Sequence, residues 1–185
     1  MVSSAKSMNS SKIRTYVKLI ESSKVYDVAQ ITPITKANQL SKALNNEVLL
    51  KREDLQPVFS FKIRGAYNKL AKLKQKGVKG PFIAASAGNH AQGVAFGAKN
   101  LGLKAFIVMP VTTPSIKVNS VKNYGGKVIL HGDNFDEAYQ YAAQLVSKEG
   151  YTFIHPFDDK DVIAGQGTVG TVSYTHLRAH ETHID

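Results

Sequence analysis

Two short stretches carry side chains with chemistry to offer. The first is Ser60-Phe61-Lys62-Ile63-Arg64-Gly65-Ala66. Ser60 is a natural helix N-cap, which places Lys62 in the first helical turn. A cation there faces the positive end of the helix dipole, which lowers the lysine pKa, and partial burial lowers it further. A neutral amine is what imine chemistry needs. The competing reading is an ordinary surface lysine. The second stretch is Ser86-Ala87-Gly88-Asn89-His90-Ala91-Gln92-Gly93. Gly88 can take backbone conformations closed to other residues. N–H groups at a helix start there would converge on a carboxylate or phosphate. Asn89 adds a side-chain amide, and Gly93 and Gly97 let the helix pack closely. The competing reading is a plain strand-to-helix turn capped by Ser or Asn.

The elements that must position these stretches alternate. Ser11 can cap a helix over about 12–22, and Pro33 can open another through Leu44. Val48-Leu49-Leu50 reads as a short strand. Residues 60–76 carry a helical stripe of Ile63, Tyr67, Leu70 and Leu73. Phe82-Ile83-Ala84-Ala85 is a strand, and 89–101 a helix with Ala91, Val94, Ala98 and Leu101 inward, closed by Gly102. Ala105–Met109 is the next strand. Thr113 caps and Pro114 opens a helix ending near Gly125-Gly126. Lys127–Leu130 is a strand, Asp133 or Asn134 starts a helix stopped by Gly150, and 151–154 is a further strand. Strands separated by helices mean βαβ units and a parallel sheet, whose ligands bind beyond the C-terminal strand ends. That directs attention to the loops after residues 51, 85 and 109.

Composition narrows the function classes. The 185 residues allow one domain or slightly more. With no cysteine, thiolate metal sites, disulfides and cysteine nucleophiles are excluded. No apolar run approaches a membrane span. The Ser-rich start lacks acids before Glu21, as transit peptides do, but holds a single Arg, so a soluble cytoplasmic protein is expected. The net charge of +10 raises nucleic acid as a partner. Twenty of the 24 cations are Lys, however, where nucleic-acid readout favours clustered Arg with aromatics. Neither a nucleic-acid nor a membrane partner is expected. The densest lysines, at 69, 72, 74, 76 and 79, read as the wet side of one helix. No glycine stands before Lys127 at the distance a Walker A loop requires. His176, His180 and His183 have a spacing that could bind metal on one helical face. Half of the six histidines fall in the last ten residues, a composition break rather than a site, and no metal is expected.

Taken together, the two stretches are far more specific. Lys51-Arg52-Glu53-Asp54-Leu55-Gln56-Pro57 leads into Ser60-Phe61-Lys62, and the Ser-Ala-Gly-Asn-His loop comes about one βα unit later. The pattern resembles the fold-type II pyridoxal-phosphate enzymes, and within them the threonine dehydratases of the bacterial biosynthetic type. Val108-Met109-Pro110, residues 131–138 and Ile163-Ala164-Gly165-Gln166-Gly167-Thr168 extend the resemblance over roughly residues 25–170. It implies a tryptophan-synthase-β-like α/β fold and conversion of L-threonine, or L-serine, to an oxo acid and ammonia at the start of isoleucine synthesis. Lys62 matches the lysine that holds pyridoxal 5'-phosphate and takes the substrate's Cα proton. Asn89 matches the residue that bonds the cofactor's ring oxygen, and Phe61 matches a neighbour of the cofactor. Ser86, Ala87, Gly88, Asn89 and His90 match the loop that binds the substrate carboxylate. Related serine racemases have a second serine where this chain has Ala87, and a methyl cannot exchange protons. Cysteine synthases usually carry Thr where this chain has His90. A catabolic serine/threonine dehydratase shares both motifs and stays an alternative.

The resemblance also implies a division of the chain. Residues 1–24 are a tail and helix, 25–59 part of a large domain, 60–155 a parallel-sheet small domain, and 156–172 the return to the large domain. The phosphate-cradling Gly-rich loop, due soon after residue 170, is absent. Residues 173–185 leave the family pattern and resemble translated adapter sequence. The expectation is a fragment with an incomplete large domain, an apolar edge near Val48–Leu50, poor stability and little activity, from a homo-oligomeric parent.

Overall fold

A computed structural model describes residues 10–181. The element order is α1 (Ser10–Glu21), β1 (Ile34–Lys36), α2 (Asn38–Leu44), β2 (Leu49–Lys51), α3 (Lys62–Gln75), β3 (Phe82–Ala85), α4 (Asn89–Asn100), β4 (Ala105–Met109), α5 (Ser115–Asn123), β5 (Lys127–Leu130), α6 (Phe135–Glu149), β6 (Thr152–Phe153) and α7 (Lys160–Glu181). Four strands form a parallel sheet in the order β5-β4-β3-β6. Every residue of β3 is buried, as a central parallel strand covered on both faces requires.

Alternation along the strands sorts the core into two layers. Phe82, Ala84, Ile107 and Met109 face α3, α4 and α5, where Leu70, Ala91, Val94 and Val121 meet them. Ile83, Ala85 and Val108 face the opposite way, onto Ala138, Ala142 and Leu145 of α6. Asn134 caps α6 by accepting from the Glu137 backbone N–H at 3.0 Å, while Glu137 Oε2 accepts from Asp133 N–H at 2.8 Å. Gly150, at φ 71°, ends that helix in the left-handed region.

Several expectations change. Pro33 opens no helix: residues 34–36 pair antiparallel with 49–51 in a separate two-stranded sheet, and α2 starts only at Asn38. The end of β2 therefore does not open onto the parallel sheet. Leu49 and Leu50 stay 40% and 45% exposed, although β2 has β1 as a paired neighbour. Ser11 lies within α1 rather than ahead of it. Thr113 makes no cap bond, and its hydroxyl is buried without a partner. Lys69 and Lys72 are not on a wet face. Lys69 pairs with Asp159 at 2.6 Å and Lys72 with Asp161 at 3.3 Å, joining α3 to the start of α7.

The α3–α7 contact is backbone on backbone. A Cβ on Gly165 would meet Arg64 O at 2.6 Å and Gly65 Cα at 2.7 Å, and one on Gly65 would meet Val162 O at 2.7 Å. Only glycines permit this approach. α3 is thus clamped between α4 and α7, and every residue from Ile63 to Asn68 is buried. The His176, His180 and His183 spacing falls outside the residues whose side chains are described. Among the described residues, no group of His, Asp or Glu could hold a metal ion, and no helix is long and apolar enough to cross a membrane.

Candidate functional site

Lys62 is the first residue of α3. The Ser60 hydroxyl accepts from the Lys62 backbone N–H at 3.2 Å, so Ser60 serves the helix start from one residue further back than a standard cap. The Lys62 side chain is half-buried and its ammonium donates to the Pro156 carbonyl at 2.9 Å. Burial lowers its pKa, the second of the two causes expected for this lysine. Phe61 lies 42% exposed, with its ring centroid 5.6 Å from Lys62 Nζ.

The Ser86–His90 stretch links β3 to α4. Ser86 N–H still donates to Val108 O, extending the strand pairing, and Ser86 Oγ accepts from Gly88 N–H at 3.2 Å. α4 has no side-chain cap, so its first-turn N–H groups are left for water or a ligand. Gly88 sits at φ −126°, ψ −152°, with nothing within 4 Å of where a Cβ would stand. No positive φ requires the glycine here, contrary to expectation; the space before it is simply open. Asn89 is exposed beside it. Gly93 rests on the start of α3, where a Cβ would come 3.0 Å from Lys62 O. Gly97 likewise lies against Leu70 and Tyr67. The two motifs, about one βα unit apart in sequence, are therefore packed together at the carbonyl end of the parallel sheet, where ligands gather.

His90 turns inward. It is 3% exposed, and its Nε2 lies 2.9 Å from Ile154 O. A carbonyl only accepts, so Nε2 carries the proton; Nδ1 is then an acceptor, buried and without a partner. Burial, with smaller contributions from Lys62 and His155, lowers the His90 pKa to about 4. The ordinary value is near 6.5, so between these values the unfolded chain binds a proton that the folded chain refuses. The His90 contribution to stability is expected to be full above about pH 6.5 and to fall as pH drops toward 4, by about 3 kcal/mol in total. His90→Gln should flatten this slope between pH 6.5 and 4.5, measured by urea unfolding across that range.

Sequence reasoning passes over two groups. One is a buried network behind Lys62. Arg64, 0% exposed, donates to both Glu53 oxygens at 2.7 and 2.9 Å and to Thr168 Oγ1 at 3.1 Å. Glu53 also accepts from Thr32 and Gln56, and Gln56 is bonded to both the N–H and the carbonyl of Gln30. Burial pushes the Glu53 carboxyl up, but the bonds from Arg64, Thr32 and Gln56 outweigh it and leave the pKa below its ordinary value. The other is residues 154–158, whose carbonyls take Lys62 and His90. His155 Nδ1 accepts from the backbone N–H of Phe157 and Asp158 at 3.2 and 2.7 Å, closing the turn.

Residues 25–174 match the model of a family described as pyridoxal-phosphate dependent enzymes. A threonine dehydratase (biosynthetic, chloroplastic) of Solanum lycopersicum is 61% identical over 155 residues, covering 84% of this chain and 26% of that protein. The biosynthetic L-threonine dehydratase of Escherichia coli is 49% identical over 170 residues, covering 92% and 32%. The solved structure of the processed form of threonine deaminase isoform 2 from Solanum lycopersicum superposes with TM-score 0.87 at 47% identity, covering 91% of this chain and 47% of that one. The chain thus spans about a quarter to a third of the length of these curated relatives.

Proposed function

The chain belongs to the pyridoxal-phosphate-dependent enzyme family and has the fold-type II α/β architecture, and from that premise we propose that its parent deaminates L-threonine to 2-oxobutanoate and ammonia. The observation that carries the reading is the half-buried Lys62 amine, its pKa lowered by burial, on a residue whose backbone packs against α4 at Gly93, with the uncapped start of α4 beyond the sheet's carbonyl edge. The comparisons support the substrate class, since the similar relatives are named for threonine.

The residues fit the cofactor at its aldehyde and ring end: an amine that can be neutral, open space before Gly88, and the exposed Asn89 amide. No Gly-rich phosphate loop occurs among the described residues, where α7 is helical from Lys160 to Glu181. When bound, pyridoxal phosphate supplies an electron sink for the substrate's Cα. In this reading Lys62 anchors the group and holds the Cα proton at Nζ. Asn89 orients the ring, and Phe61 shields Lys62 from water on one side. Of the Ser86, Ala87, Gly88 and His90 loop, the Ala87 and His90 N–H groups and the Ser86 hydroxyl bind the substrate carboxylate, since Ser86 N–H already donates to Val108 O and Gly88 N–H to Ser86 Oγ. The Ala87 methyl offers no proton on the opposite side, which favours elimination over racemisation.

The division into 25–59 and 156–172 as large-domain parts flanking a 60–155 small domain belongs to the same reading, as do a cytoplasmic location and a homo-oligomeric parent. So does weak turnover by the 185-residue chain alone. Adding pyridoxal phosphate should produce the visible band of lysine-bound cofactor, and Lys62→Ala should abolish it. A band that survives Lys62→Ala sinks the assignment. Robust 2-oxobutanoate formation from threonine by this chain would overturn the claim of weak activity.

A further inference from the structure

Three contacts form a closed triangle around Lys62. Its backbone touches α4 at Gly93, where a Cβ would stand 3.0 Å from Lys62 O. Its ammonium donates to Pro156 O at 2.9 Å. The third side joins α4 to the same chain segment, through His90 Nε2 and Ile154 O at 2.9 Å. Ile154 is itself fully buried, and its N–H donates to Ile83 O within β3.

We propose that His90 is a positioning residue for Lys62, acting through residues 154–156 to hold the carbonyl that receives the lysine amine. Lys62 has a long, rotamer-rich side chain, and ordering it costs entropy unless its acceptor stands still. Two groups hold that acceptor. His155 ties down the N–H groups after Pro156, and His90 ties down the carbonyl before it. The imidazole's other nitrogen is buried without a partner, which runs against stability. A side chain chosen only to fill the core would leave no such orphan. The orphan is tolerable if the reach of Nε2 to Ile154 O is what the site requires. The role matters for catalysis only if Lys62 anchors the cofactor, so its functional meaning rests on the proposed deaminase function.

The test reads Lys62 directly, without cofactor. Wild-type chain, His90→Asn and His90→Gln are treated with a limiting N-hydroxysuccinimidyl acetate dose, and each lysine's acetylation is mapped by peptide mass. Lys69, on α3 but paired with Asp159, is the internal control. Asn is too short to reach Ile154 O, whereas the Gln amide can replace Nε2–H. His90→Asn should speed Lys62 labelling about fivefold, the weight of one hydrogen bond, with Lys69 unchanged. His90→Gln should match wild type. Equal Lys62 labelling in all three, or equal acceleration in Asn and Gln, overturns the proposal. If Lys69 labelling also rises in His90→Asn, that variant has unfolded and His90→Gln decides: kept protection supports, lost protection refutes. Failure of the cofactor band with this pattern intact would remove the enzyme reading and leave the positioning role standing.

Discussion

Glu53→Ala is expected to destabilise the chain by about 3–5 kcal/mol, the cost of leaving a buried charge without its partner. Arg64 has no solvent exposure, so the guanidinium cannot recover water. It keeps Thr168 and the Gln30 carbonyl as acceptors, but neither carries charge. Thr32 and Gln56 lose an acceptor at the same time. The loss is a large part of the roughly 5–15 kcal/mol that typically holds a domain together. The double substitution Glu53→Leu with Arg64→Met should recover much of it, since a buried ion pair often contributes little against well-packed apolar residues. Urea midpoints of the two singles and the double form the cycle that checks this. A Glu53→Ala midpoint equal to wild type would mean that the network does not anchor the start of α3. The local consequence would be a looser Lys62, because Arg64 is only two residues along the same first turn.

Gly165→Ala is expected to cost about 3 kcal/mol, the upper end of overpacking effects. Its new methyl would stand 2.6 Å from Arg64 O and 2.7 Å from Gly65 Cα, and both are backbone atoms that cannot rotate away. The two helices would have to separate, drawing Lys69 and Lys72 from Asp159 and Asp161. Gly167→Ala is the matched control. Its methyl would meet Ile20 Cδ1 at the same 2.6 Å, but that is the far end of a side chain able to turn. Its cost should stay below about 1 kcal/mol. Thermal unfolding of both variants separates the cases, and equal losses would show that the α3–α7 approach is not what Gly165 protects.

Much of the site is legible in the chain because local rules govern it. Lys62 and Ser86–Gly93 stand out through capping and turn chemistry, which depend on neighbours a few residues away. The strands at 82–85 and 105–109 stand out as unbroken apolar runs, as buried parallel strands require, and 127–130 as a shorter apolar run after Lys127 at the sheet's edge. Arg64 escapes notice because a charge on a helix is ordinarily placed in water, outside the apolar stripe. A hint is present: Gly65-Ala66 directly after Arg64 marks a helix packed closely on more than one side. Pro33 misleads because proline suits a helix start, while the pairing of 34–36 with 49–51 depends on a partner 15 residues away.

The sequence by itself determined the parallel α/β class, the two motifs and the family they resemble. The first two come from periodicity and short-range spacing, and the resemblance from the residues of the motifs themselves. Only the tertiary structure decided which polar groups are buried together. Glu53, Arg64 and Thr168 lie over a hundred residues apart at the extremes, and nothing local says that they meet. It also decided that His90 looks inward to Ile154, and that Lys69 and Lys72 close an interface rather than face water. The physical reason is the same in each case. A side chain's charge, pKa and reach are set by what desolvates and pairs it, and those partners arrive only when the chain has folded.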